Sequence, residues 1–117
     1  MIVYCYPKCS TCKKALHYLD EKNVTYELFD IKEQNPTAQQ LEKWHKLSQL
    51  PLKKFFNTSG MKYKELQLKD KLPEMSEQEQ YALLATDGML VKRPLVIGED
   101  YVLTGFRQAE WEAKICG

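Results

Sequence analysis

The first thirty or so residues change hydrophobic period twice, and that alternation restricts the fold more than any other feature of the chain. Residues 2–6, Ile-Val-Tyr-Cys-Tyr, are β-branched, aromatic or Cys and stop at Pro7, which predicts a short buried strand. From Ser10 to Asn23 the apolar residues Ala15, Leu16 and Leu19 recur at helical spacing with polar residues between them. Val24 to Asp30 alternates again, Val24, Tyr26 and Leu28 against Thr25 and Glu27, and reads as a second strand. Strand, helix and strand in so short a span make a βαβ unit. Parallel strands cannot be joined by a tight turn, so the helix must cross one face of a sheet, and the fold class is α/β.

The middle of the chain is helical in pattern. Pro36 and Thr37 precede Leu41, Trp44 and Leu47 at helical spacing, and Pro51 opens a short piece containing Phe55 and Phe56. Asn57-Thr58-Ser59-Gly60 is a turn, and Tyr63 to Lys71 reads as a polar stretch. Ser76 and Glu79 form a capping box for a helix carrying Tyr81, Leu83 and Leu84, with Gly88 expected as its C′ residue. Leu95-Val96-Ile97 and Tyr101-Val102-Leu103 flank Gly98-Glu99-Asp100 as a hairpin, and a last helix around Gln108 to Lys114 carries Trp111. Trp44, Phe55 and Phe56 are expected in the core, and His17 and His45 in surface or capping roles. With 117 residues, 44% of them hydrophobic, and no repeat or linker, one domain over residues 1–117 is expected.

Charge narrows the function classes. Lys and Arg number 17 against 16 Asp and Glu, for a net charge of +1, so there is no overall field to hold a nucleic acid or an acidic membrane. The apolar start breaks at Pro7-Lys8, too early for the core of a signal peptide, and no run approaches the roughly 20 apolar residues of a membrane span. A cytoplasmic protein is expected. Of the four cysteines, three crowd into residues 5–12 and one is Cys116, a poor framework for structural disulfides. Such clustering points to redox or metal chemistry.

Cys9-Ser10-Thr11-Cys12 falls where the first strand gives way to the first helix. A helix start presents unsatisfied amides and the positive end of the macrodipole, which would stabilise a thiolate at Cys9. Cys12 lies one turn on, more buried and within reach of a disulfide to Cys9, the placement of a resolving thiol. Zinc would need two more ligands, and Cys5, His17, His45 and Cys116 are not at paired spacing, so no metal is expected. Cys5, Cys9 and Cys12 also spell the C-x3-C-x2-C pattern of radical enzymes with an iron–sulfur cluster. Cys5 falls inside a strand, however, and the chain is too short for the barrel such enzymes use. Cys5 and Cys116 are expected to stay out of the redox pair. The 17 basic residues are 15 Lys and only two Arg, Arg93 and Arg107. Arg offers a planar fork for oxyanions and keeps its charge when partly buried.

Four separated stretches resemble the ArsC/Spx family, closest to its YusI-like branch: Tyr6 to Ala15 around the cysteine pair, Phe55 to Gly60, Asp87 to Leu95, and Gly105-Phe106-Arg107. The resemblance implies a thioredoxin-like (ArsC-like) fold with a mixed β-sheet. Its core would be residues 1–32 and 88–117, with a helical insertion at 33–87 between the second strand and the C-terminal hairpin. It implies a redox-active nucleophile at Cys9 and, as in Spx-like members, a second cysteine at Cys12. Arg93 matches the arginine that faces the cysteine, Pro94 is expected to be cis beside it, and Arg107 falls where arsenate reductases bind the oxyanion. Asn57 departs from the pattern, since an arsenate reductase would offer a further arginine in that region. Three functions are thereby implied: a thiol-disulfide oxidoreductase, a glutaredoxin- or thioredoxin-dependent arsenate reductase, or an Spx-like redox-sensing adaptor that binds RNA polymerase. None calls for a bound cofactor. The enzyme readings call for an external thiol reductant, thioredoxin or glutathione with glutaredoxin.

Overall fold

The computed structural model describes residues 1–116. Four strands form one mixed sheet in the order β2-β1-β3-β4: β1 (Ile2–Cys5), β2 (Glu27–Asp30), β3 (Leu95–Ile97) and β4 (Val102–Thr104). β1 runs parallel to β2, with Ile2 opposite Glu27 and Cys5 opposite Asp30, and antiparallel to β3, with Val3 opposite Val96. β3 and β4 close the hairpin. This is an α/β, thioredoxin-like arrangement with the helix α1 (Ser10–Glu21) as the crossover between β1 and β2.

The period of two along the strands sorts the core onto two faces. Val3 and Cys5 of β1, Val96 and Leu103 pack with Cys12, Ala15 and Leu19 of α1 and with Trp111 of α6 (Gln108–Trp111). Tyr4 and Leu95 point the other way, onto α2 (Ala38–Ser48), α3 (Met61–Glu65), α4 (Leu68–Lys71), α5 (Glu77–Leu84) and the turn of Leu52–Phe55. Trp44, Phe55 and Phe56 are buried there, as their apolar spacing predicts. Among the described residues no helix is long and apolar enough to cross a membrane.

Departures from the sequence reading have local causes. β2 begins at Glu27 and not Val24, because a C-terminal cap consumes the preceding residues. Asn23 takes φ 57°, its amide donates to Asp20 O at 3.1 Å, and Val24 donates to Leu19 O at 3.0 Å. The polar stretch from Tyr63 to Lys71 holds two short helices, whose Tyr63 and Leu68 are buried between lysines. Gly88 does not cap α5, which ends at Leu84. It opens a separate turn, where Asp87 accepts from the Met89 amide at 2.8 Å, and a Cβ at residue 88 would collide with the Ile31 carbonyl. His45 is not a surface residue: its Nδ1 lies 2.6 Å from the Tyr81 hydroxyl and ties α2 to α5.

Candidate active site

Cys9 is the N-cap residue of α1, with extended backbone (φ −86°, ψ 119°) and no side-chain capping bond. The loop that delivers it is tight, since the Cys9 amide donates back to Tyr6 O at 2.9 Å across Pro7 and Lys8. Cys9 is half-buried, whereas Cys12, one turn on, is 1% exposed against the sheet. The first turn of α1 carries no acidic residue to compete for its amides.

Cys5, at the end of β1 and 4% exposed, is brought to the same point. Cys5 and Cys12 lie in one buried cluster with Cys9 packed against it, and this grouping favours negative charge on Cys12. Its pKa is pushed down to about 6, chiefly by the Cys5 hydrogen bond, against the opposing pull of burial, with help from the Tyr6 amide, Cys9 and the Arg93 charge. Cys5, as donor in the same bond and buried, is pushed up. All four cysteines are free thiols, and among the described residues no group of His, Cys, Asp or Glu is arranged to hold a metal ion.

Arg93 reaches this cluster from β3's approach. The Arg93–Pro94 peptide bond is cis. The guanidinium sits 5.6 Å from the centre of the Tyr6 ring, and its Nη1 donates to Met89 O at 3.4 Å. Its charge favours the ionised form of both Cys5 and Cys12, and its Nε is buried without a hydrogen-bond partner. A buried guanidinium donor left unpaired beside sulfur can accept an anionic or oxidised sulfur group as partner.

Arg107 is placed elsewhere. The Gly105 amide donates to Pro94 O at 2.9 Å, and Gly105 O accepts from the Trp111 indole at 3.1 Å. Gly105 takes φ 76°, a conformation that disfavours any side chain, and so turns Arg107 outward as the N-cap of α6. There Arg107 lines a cleft of about 500 Å³ with Thr11 of α1, Thr58, Lys53, Lys54 and Lys92. Among the described residues, four cations and no carboxylate face this space, and none of the four is in a salt bridge. Arg93 is not part of its lining, so the two arginines do not meet around one ligand. Nor does Asn57 line it: Asn57 is held in its turn, with its carbonyl accepting from Gly60 at 3.1 Å and its amide oxygen from Ser59 at 3.4 Å. Sequence reasoning missed the lysines. The only available signal was the Lys53-Lys54 pair beside Phe55-Phe56, which reads as a solvated edge.

A thioredoxin-like sheet with a cysteine pair at the start of its first helix and a cis Arg93–Pro94 bond leading into β3 defines the class of the molecule. The sequence profile of the ArsC family matches residues 4–114, and the chain belongs to that family. The YusI protein of Bacillus subtilis is 51% identical over 109 residues, 93% of this chain and 92% of that protein. The global transcriptional regulator Spx 2 of Bacillus cereus is 24% identical over 94% of this chain and 82% of its own length. Among solved structures, an ArsC family related protein from Bacteroides fragilis superposes with a TM-score of 0.93 at 56% identity, covering 96% of this chain and 94% of that one. A possible arsenate reductase from Streptococcus mutans gives a TM-score of 0.89 at 46% identity, covering 97% of each.

Proposed function

We propose that the chain is a cytoplasmic thiol-disulfide oxidoreductase in which Cys9 attacks and Cys12 resolves. One observation carries the reading: a half-buried thiol at the start of α1 stands one helical turn from the buried Cys12, whose pKa is pushed down. The Cys9 proton passes to Cys12, and Cys9 is left as the attacking thiolate at the start of the helix. That thiolate attacks a substrate disulfide, and the departing sulfur leaves as a thiolate that takes up the proton now on Cys12. Cys12, deprotonated again with the Tyr6 amide, Cys5 and the Arg93 charge to hold it, attacks the Cys9 sulfur of the mixed disulfide. The second thiol is released, and the Cys9–Cys12 bond is the oxidised product. Thioredoxin, or glutathione with glutaredoxin, returns it to the dithiol. The cationic cleft beside Thr11 suits the anionic part of a carboxylate-bearing disulfide.

Turnover of a small disulfide, with either reductant supplied, tests the assignment. Cys9→Ser abolishes turnover, and Cys12→Ser lowers it sharply while a mixed disulfide on Cys9 accumulates. Equal turnover by Cys9→Ser and the parent protein sinks the reading. Arsenate is expected to be a poor substrate. Desolvating a multiply charged oxyanion needs fixed charged donors around the reacting atom. Arg93 and Arg107 are split between two places, and Asn57 is uncharged and turned into its own loop.

The likeness to Spx 2 favours a second reading, a redox-sensing adaptor that engages RNA polymerase. Capture from cell extract in reduced and oxidised forms separates the two. An enzyme traps many thiol partners substoichiometrically, and an adaptor brings down one stoichiometric complex.

A further inference from the structure

Resting on the Cys9–Cys12 reading, we propose that Cys5 is a second partner for Cys12, so that the disulfide formed between Cys9 and Cys12 is passed inward to Cys5. Cys12 is the sulfur the other two share: it lies with Cys5 in the buried cluster under α1, and Cys9, one helical turn before it, packs against that cluster. Secondary structure fixes this juxtaposition. Cys5 points to the α1 side of the sheet with Val3, and Cys12 begins the buried stripe of α1 that continues through Ala15 and Leu19. Cys5 and Cys12 also border one cleft of about 320 Å³ between α1 and β2, which shares no residue with the cationic cleft at Arg107. Both thiols are free and buried in one cluster.

The exchange balances within the chain. The Cys5 sulfur attacks the Cys12 sulfur of the Cys9–Cys12 bond, the Cys5–Cys12 bond forms, and the Cys9–Cys12 bond breaks. Cys9 leaves with the electron pair and the proton that Cys5 gives up, so Cys9 is reduced as Cys5 is oxidised. No external oxidant enters beyond the disulfide that first oxidised Cys9. Exposure sets the direction. Cys5 and Cys12, 4% and 1% exposed, form a bond shielded from external thiolates, and the half-buried Cys9 is returned to the surface as a thiol able to engage again. Reduction then has to re-enter through Cys9. The inner disulfide is a store of oxidising equivalents that a simple Cys-X-X-Cys pair lacks.

Disulfide mapping after oxidation by oxidised glutathione tests this directly. Cleavage after Lys8 and Lys13 leaves Cys5 on one peptide and Cys9 with Cys12 on the next, so a Cys9–Cys12 bond stays within one peptide and a bond to Cys5 joins two. In Cys116→Ser protein quenched at successive times, the internal bond is expected first, with the two-peptide species rising as it falls. The two-peptide species is expected to be lost both in Cys9→Ser, where the oxidant has no outer thiol to enter by, and in Cys12→Ser. Internal bond only, with no joined peptides in the parent at any time, overturns the inward transfer and leaves the Cys9–Cys12 reading standing, and joined peptides that form as fast in Cys9→Ser as in the parent overturn it too, because Cys5 and Cys12 are then oxidised without Cys9. Joined peptides that survive Cys12→Ser assign the bond to Cys9 and also overturn it. Failure of the internal bond to form at any time overturns the dithiol reading itself. None of these outcomes requires a substitution at buried Cys5.

Discussion

The charge on Cys12 depends first on Cys5, and removing that one donor has a calculable effect. With its pKa at about 6, Cys12 is about nine-tenths thiolate at pH 7. A hydrogen bond to a charged group is worth about 1.5–3 kcal/mol, and about 1.4 kcal/mol corresponds to one pH unit, so losing the Cys5 donor moves the titration up by about one to two units. The thiolate fraction at pH 7 then falls to between about one half and one tenth. Cys5→Ala removes the donor, and Cys5→Ser keeps one of similar reach. Ultraviolet thiolate absorbance against pH, read in a Cys9→Ser/Cys116→Ser background, follows Cys12. The transition is expected near pH 6, displaced upward in the Ala variant and retained in the Ser variant. A transition that Cys5→Ala leaves in place, or one near the ordinary thiol value of 9.0, would refute the hydrogen-bonded cluster. Stability follows with a definite sign. Cys12 ionises more readily folded than unfolded, so its contribution is present above the ordinary thiol range and is lost as pH falls through about 6. Cys5 opposes this at alkaline pH, because folding holds it protonated where the unfolded chain ionises it.

Three further outcomes test the packing and the cleft. Trp111→Ala, at a fully buried indole bonded to Gly105 O, is expected to destabilise the fold by about 3–5 kcal/mol in urea unfolding and to lower turnover by loosening Arg107. Tyr81→Phe removes the 2.6 Å contact with His45 Nδ1 and is expected to cost about 1 kcal/mol, seen as a lower denaturation midpoint with an unchanged slope. Replacing Lys53, Lys54 and Lys92 with Gln is expected to raise KM several-fold for a carboxylate-bearing disulfide and flatten its salt dependence. KM for an uncharged disulfide stays put, and an equal rise for both would remove the cleft from the reaction.

Where the sequence was legible, periodicity and local chemistry agreed. The βαβ unit, the hairpin, the capping box at Ser76 and the buried Trp44, Phe55 and Phe56 all follow from spacing that tertiary packing then reinforces. Where it was not, the deciding contact came from far along the chain. Gly88 looks like a helix stop because Asp87-Gly88 follows a helical run, yet its lack of a side chain serves the Ile31 carbonyl. His45 reads as solvated until Tyr81, 36 residues away, supplies its partner.

Cys5 is the instructive case, since every step to its place was available in principle. Strand parity sets Cys5 with Val3, helical spacing sets Cys12 with Ala15 and Leu19, and a crossover helix must lay its apolar stripe on one face of the sheet. What parity alone leaves open is depth: whether Cys5 lies under the first turn of α1 or under a later one. The bond from the Cys9 amide to Tyr6 O settles that by folding the loop back at once, so that α1 starts directly above the end of β1. The same short loop places Cys9 at the helix start and Tyr6 under Arg93. One tight turn at Pro7-Lys8 therefore sets the reach of the outer thiol and brings the inner two together. An insertion that lengthens this loop should separate Cys5 from Cys12 and shift Cys9 in a single step, seen as loss of both disulfides in peptide mapping.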